Sequence, residues 1–255
     1  MLKLFTHLPT IVLPLVRNVV LHDASVSDDR LRPATYLLQQ EFIAQQLEGF
    51  ARRHGWEQQD ITAVASMWSK SYLSLFSGSW LFARILYDSL LTTDLSDLLL
   101  LLDADGLITA IIVPDEGKLV APVNSLADFT PLFQQHINAH FAALSAVSGV
   151  KVSVLWSNIA SGVEALRHLL SESNYLSPEK EQVMAALFAE KFWPDGSRNF
   201  MYRPIFTRLS PEGETVKLRK GCCLRYLLPK MGYCKNCCLP QAWQANYTPN
   251  NSSCL

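Results

Sequence analysis

"DLLLLLDADGLITAIIV", residues 97–113, separates an all-helical reading of this chain from a mixed one. Two apolar runs flank "DADG", with Gly106 where a tight turn needs a positive φ, and short apolar runs bounded by turn residues read as a β-hairpin. "DADG" also matches the start of a calcium loop. The twelfth position of that loop falls on Pro114, where a bidentate Glu is required, so the hairpin reading stands.

Around this hairpin the chain reads as helix. Leu38, Phe42, Ile43, Leu47 and Phe50 recur at helical spacing from about Pro33 to Arg53, with Gly55 as the stop. Asp60 reads as the N-cap of a helical region reaching about Tyr87, with a break expected at Gly78. That region carries Trp68, Tyr72, Phe76, Trp80 and Phe82, enough aromatic surface for the centre of a core. Further helices are expected at about 127–147, 158–172 and 178–191, the last with Ser177 as cap and Pro178 at its first position. "MYRPIFTRL" and "TVKLRKGCC" then alternate like strands around "SPEG". Helices, hairpin, helices, hairpin, with no βαβ alternation and no internal repeat, predict an α+β fold dominated by helices, with antiparallel hairpins and a Cys-rich C-terminal segment.

Composition agrees with a packed protein: 255 residues, 49% hydrophobic and only 18% charged. No targeting or membrane segment is expected. Pro9 and Pro14 interrupt the apolar start and Arg17 closes it, while "SYLSLFSGSWLFA" (71–83) falls short of the ~20 residues of a spanning helix. The formal charge of −1 conceals a division. Residues 1–214 hold all 23 acidic residues against sixteen basic ones, and residues 215–255 hold Lys217, Arg219, Lys220, Arg225, Lys230 and Lys235 with no acid.

The same segment holds every thiol. Cys222 and Cys223 are adjacent, ten residues precede Cys234, two more separate it from Cys237, and Cys238 and Cys254 follow. Structural disulfides are disfavoured, because bridges confined to one end would leave the cysteine-free body unconstrained. Inert thiols do not explain the clustering. Metal remains. "CKNC" is a chelating pair suited to zinc, but adjacent cysteines make a poor second pair around one ion, since their α-carbons are ~3.8 Å apart and neighbouring side chains diverge. A two-iron cluster, with two metal atoms to share four thiolates, tolerates that arrangement better. The spacing alone leaves both open.

The pattern CC-x10-C-x2-C with "RYLLP" after the first pair resembles the signature of the FhuF family of ferric-siderophore reductases. "VLWSN" (154–158) resembles that family's Trp-Ser-Asn segment before a helix, "ALFAEKFWPDG" (186–196) its helix end, and "MWSKSYLSLF" (67–76) its central helices. The resemblance implies a [2Fe–2S] cluster on Cys222, Cys223, Cys234 and Cys237, with Cys238 and Cys254 as spare thiols. The charge division and the polar end give the expected organisation: a helix-rich body over residues 1–214, a basic cluster-binding segment at 215–240 and a loose tail at 241–255. The activity that the resemblance implies is one-electron reduction of siderophore-bound Fe(III), releasing Fe(II) in the cytoplasm. A separate donor of the ferredoxin or flavin reductase type would supply the electron, since no nucleotide loop is present. The resemblance also allows peripheral contact with the cytoplasmic face of the inner membrane.

An oxidised two-iron cluster on four thiolates carries −2. One basic residue at ~10 Å, at an effective dielectric near 20, shifts its potential by roughly 70 mV, so the six should raise it above the ~−400 mV of plant-type centres. Arg219, Lys220 and Arg225 are the residues expected to dock the anionic ferric complex; Trp156 and Asn158 are expected to be structural. His136 and His140 are spaced i,i+4, but Ile137 stands where a zinc protease has Glu, so they read as ordinary helix histidines. The competing function is a non-enzymatic interaction protein whose Cys-rich tail binds structural zinc. Nucleic acid is not an expected partner.

Overall fold

The computed structural model describes residues 2–8, 12–23, 28–209 and 213–242. Helix α1 (Gln40–His54) ends at Gly55, whose φ of 68° lets its N–H reach back to the carbonyls of Ala51 and Arg52. It starts later than the apolar spacing suggests. Residues Leu31–Pro33 form a strand, β2, and Ala34–Leu38 a 3₁₀ turn, because the Ala34 N–H is drawn to the Leu98 carbonyl at 2.8 Å.

Helix α2 (Ile61–Leu86) is capped by Asp60, whose carboxylate accepts from the Thr62 N–H at 2.8 Å, and it runs unbroken through Gly78. The glycine serves packing instead of a break. A Cβ there would stand 2.6 Å from the Leu15 carbonyl oxygen, so its absence lets the N-terminal segment lie directly on α2. Tyr72, Phe76, Trp80 and Phe82 are buried, and α2 packs against α1, α3 and α4. It is the axis of the core.

The hairpin forms as expected. β4 (Leu99–Leu102) and β5 (Ile108–Val113) pair antiparallel, and the turn closes through Asp103 N–H to the Leu107 carbonyl at 2.9 Å. Two flanking strands extend it to a four-stranded sheet in the order β1-β5-β4-β2, with β1 (Val19–Leu21) parallel to β5 and β2 antiparallel to β4. A short pair, β3 (Ser89–Leu90) and β6 (Lys118–Leu119), joins the loops beyond α2.

The helix expected at 127–147 is three geometries in series: a 3₁₀ turn Leu126–Phe129, a π-helical run Pro131–Ile137, and α3 (Asn138–Ser148). Helix α4 (Val152–Glu172) begins six residues before the expected start, so "VLWSN" lies within its first turns and not ahead of it. Gly149, with φ of 72°, ends α3, and a three-residue link suffices to start α4. Helix α5 (Pro178–Ala189) has the expected Ser177 cap. β7 (Ile205–Leu209) and β8 (Thr215–Arg219) pair antiparallel, and the 214/215 division falls between them. The expected turn at 210–212, most of the tail and Cys254 lie outside the described residues. Among the described residues no helix is long and apolar enough to cross a membrane.

Candidate metal centre

Among the described residues after β8 no regular structure is long enough to hold itself, and the backbone there is carried by side chains of α2 and α4. Ser157 Oγ donates to the Gly221 carbonyl at 3.1 Å, and Ser66 Oγ to the Cys223 carbonyl at 2.7 Å. Asn158 ties the two helices together. Its amide nitrogen donates to the Ser66 carbonyl at 3.0 Å and Ser66 Oγ at 2.9 Å, and its oxygen accepts from Arg219 Nη2 at 2.8 Å. Arg219 also reaches Ser157 Oγ at 3.2 Å. Below the loop, Leu228 is buried with Trp56, Ala63 and Val64. The Arg219 N–H donates to the Asn236 carbonyl at 2.8 Å, and the Cys237 N–H to the Cys234 carbonyl at 3.0 Å, which folds "CKNC" back onto the end of β8.

Leu224 follows the adjacent pair with φ of 61°, in the left-handed region that a branched side chain rarely adopts. Its N–H points to Cys222 Sγ at 3.4 Å, and the Arg225 N–H donates to Cys223. Two backbone amides thus address two sulfurs, the arrangement that stabilises thiolate charge. A hydrogen bond from Cys234 lowers the Cys223 thiol, and the same contact raises Cys234. Burial raises Cys222 and Cys238. Among the described residues no group of three or more His, Cys, Asp or Glu side chains forms a ready cage for a single ion. The fit to a two-iron centre rests on the donor set, its charge environment and the amides aimed at sulfur.

Lys70, on α2, hydrogen-bonds Cys223; burial pushes its ammonium below the ordinary value while the Cys223 charge pulls it back up. Of the three cations expected to dock substrate, Arg219 is only 5% exposed and engaged with α4. Arg225 donates to the Met231 carbonyl within its own loop. Lys220 is exposed, with its ammonium 5.9 Å from the centroid of the Tyr202 ring. Trp156 is buried against Phe141 and stacks on Phe200. His136 and His140 are buried among Trp68, Tyr72 and Phe76, away from the thiol loop, with His136 bonded to Tyr72 and the Thr93 carbonyl. Sequence reasoning missed Lys70, Ser66 and Ser157 as neighbours of the loop. A single lysine among the aromatic residues of α2 was the available signal.

Between α2 and α4, beside this loop, runs a groove of about 460 Å³. Its walls are mainly aliphatic, from Leu15, Leu81, Val163 and Leu166, and Lys70, Asn158 and Arg219 line it too.

Comparison with known proteins gives matches over most of this architecture. Residues 66–216 match the family model described as "Ferric iron reductase FhuF-like transporter", and residues 219–239 match the "FhuF 2Fe-2S C-terminal domain". The chain therefore carries a [2Fe–2S] domain at its C-terminal end. The ferric siderophore reductase of Escherichia coli (strain K12) is 27% identical over 128 residues, 49% of this chain and 45% of that protein. Two structures of aerobactin synthetase IucA from a hypervirulent pathotype of Klebsiella pneumoniae share the fold. One has TM-score 0.51 at 14% identity over 74% of this chain, and the ATP-bound form has 0.52 at 13% over 68%; each match covers 37% of the synthetase. The chain spans less than half the length of these relatives.

Proposed function

The chain belongs to the FhuF-like ferric iron reductase family, and from that premise we propose that it is a ferric-siderophore reductase. The observation that carries this reading is the C-terminal loop, matched by the family's 2Fe-2S domain, whose first cysteine pair is held on α2 and α4 through the Gly221 and Cys223 carbonyls and whose second is folded back onto the end of β8. Cys222, Cys223, Cys234 and Cys237 would hold the [2Fe–2S] group, which when bound supplies electrons one at a time. The protein's own part is to bury Cys223 and Cys237 while leaving Cys222 and Cys234 partly exposed, to aim the Leu224 and Arg225 amides at Cys222 and Cys223, and to set Lys70 against Cys223. It also exposes Lys217, Lys220, Lys230 and Lys235 in the same segment as the cysteines. One electron converts siderophore-bound Fe(III) to Fe(II), which hard oxygen ligands hold weakly. No residue need act as a general acid or base.

The electron comes from a separate donor of the ferredoxin or flavin reductase type. Release of Fe(II) takes place in the cytoplasm, and peripheral contact with the inner membrane is compatible with the charge division. Residues 1–214 serve as the body, 215–240 as the cluster segment and 241–255 as a tail.

Visible spectroscopy tests the reading. The purified protein should be reddish brown and bleach with dithionite. Addition of a ferric siderophore should restore the colour with one Fe(II) captured by a chromogenic chelator per electron. A colourless protein holding one zinc would replace this reading with the structural-zinc interaction protein.

A further inference from the structure

The groove between α2 and α4 has a composition that core packing does not require. Its walls are aliphatic, its polar lining is hydroxyl, amide and cation, and no Asp or Glu lines it. Both of its cations belong to the thiol loop's surroundings: Lys70 touches Cys223, and Arg219 ends the strand that delivers the first cysteine pair. Arg219 is 5% exposed, its Nη2 is engaged, and its enclosed Nε–H has no partner among the described residues. A buried guanidinium whose hydrogen bonds are incompletely met, and which faces no carboxylate in the groove lining, lowers the cost of bringing an anion nearby. Gly162 on α4 opens the wall, since a Cβ there would meet nothing within 4 Å. A volume of this size, mostly apolar with a few convergent polar groups, is the usual form of a small-molecule site.

We infer that this groove seats the ferric complex, and that it takes an anionic complex of oxygen ligands carrying an aliphatic arm. The arm lies along Leu81, Val163 and Leu166, and the anionic chelate faces Lys70 and Arg219, whose charge also offsets the repulsion between the chelate and the thiolates. The iron then lies one side chain from Cys223, a short path for an outer-sphere electron. The assignment rests on the reductase reading, and it adds the place and the kind of substrate.

Gallium(III) substitutes for Fe(III) without accepting an electron, so binding is measured apart from turnover. The probe is the gallium complex of a citrate-based dihydroxamate with aliphatic arms, titrated calorimetrically into cluster-loaded protein. Gly162→Trp should weaken binding at least tenfold and the smaller Gly162→Leu by less, with visible spectrum and reduction potential unchanged and the unfolding midpoint not lowered in either, since Gly is the poorer helix former. Equal affinity in parent and both variants would overturn the groove. If the parent still reoxidises on meeting the ferric twin of the probe, the reductase reading survives that loss. A parent that binds the gallium complex in the groove but is never oxidised by the ferric one would remove the reductase reading and keep the site. Tight binding of decanoate with none of the gallium complex would assign the groove to an aliphatic acid and overturn the inference.

Discussion

Asn158 is the side chain on which the C-terminal segment depends most. Its amide uses both functions on buried groups: the nitrogen donates to Ser66, which in turn holds the Cys223 carbonyl, and the oxygen accepts from a buried guanidinium. Hydrogen bonds to charged groups contribute about 1.5–3 kcal/mol, and a charge left unpaired in the interior costs more. Asn158→Leu should therefore lower unfolding stability by about 3 kcal/mol in urea and accelerate amide exchange through residues 219–237. A loss confined to α4 would show that the loop hangs on other contacts. The thiols give a second test. Cys234→Ser should abolish visible absorption, whereas Cys238→Ser should keep it, because four ligands suffice. Loss of colour in Cys238→Ser alone would move the ligand set by one residue. The residue types at this site were legible in the spacing. Their support was not, since Ser66, Lys70 and Ser157 are separated from the cysteines by some 60 to 160 positions and only the fold brings them together.

At the scale of elements, signals with a strong local cause were legible and those with a distant cause were not. The DADG hairpin, the Asp60 and Ser177 caps and the Gly55 stop each arise within a few residues, and each formed. Strands β1 and β2 are three residues long and exist because β5 and β4 offer free edges, which no local pattern announces. The break expected at Gly78 failed because the glycine answers to Leu15 across the packing interface. The π-helical run is of the same kind, since it ends with His136 bonded to Tyr72 and the Thr93 carbonyl. Burial lowers His136 to about 4 and His140 to about 3. Both are depressed below the ~6.5 of an unfolded chain, so the unfolded state binds the extra protons. Stability is full above ~6.5 and declines as pH falls towards those folded values. Between pH 7 and 5 each should cost about 2 kcal/mol. His140, fully enclosed and the more strongly depressed of the two, is the better probe. His140→Leu should unfold no more easily than the parent at pH 7 and lose about half as much stability on going to pH 5, read from urea midpoints. An unchanged pH dependence would mean that His140 is accessible to water.

Across the whole molecule, charge is divided as sharply as the thiols are. The acid-free segment ends in exposed lysines at 217, 220, 230 and 235, while its arginines are turned inward to Asn158 and Met231. The two kinds of cation therefore act at different range. Arg219 and Arg225 brace the loop and act only on what lies beside them, and the four lysines set the long-range field. A field of this kind changes encounter rates by ten- to a thousandfold and acts only within a Debye length, about 10 Å at 0.1 M salt and about 3 Å at 1 M. Replacing Lys217, Lys220, Lys230 and Lys235 with Gln removes the attraction for an anionic ferric complex. It also takes away positive charge that raises the cluster potential, so the driving force on any bound substrate increases. The two effects separate with substrate charge. In stopped-flow oxidation of prereduced protein, the variant should react about tenfold more slowly than the parent with an anionic ferric citrate-type complex at low salt. At 1 M salt the difference should vanish, because screening has already taken the parent's advantage. With a neutral ferric hydroxamate it should react as fast as the parent or faster at either salt. Equal slowing for both complexes at both ionic strengths would remove the electrostatic account and give these lysines a role in holding the loop itself.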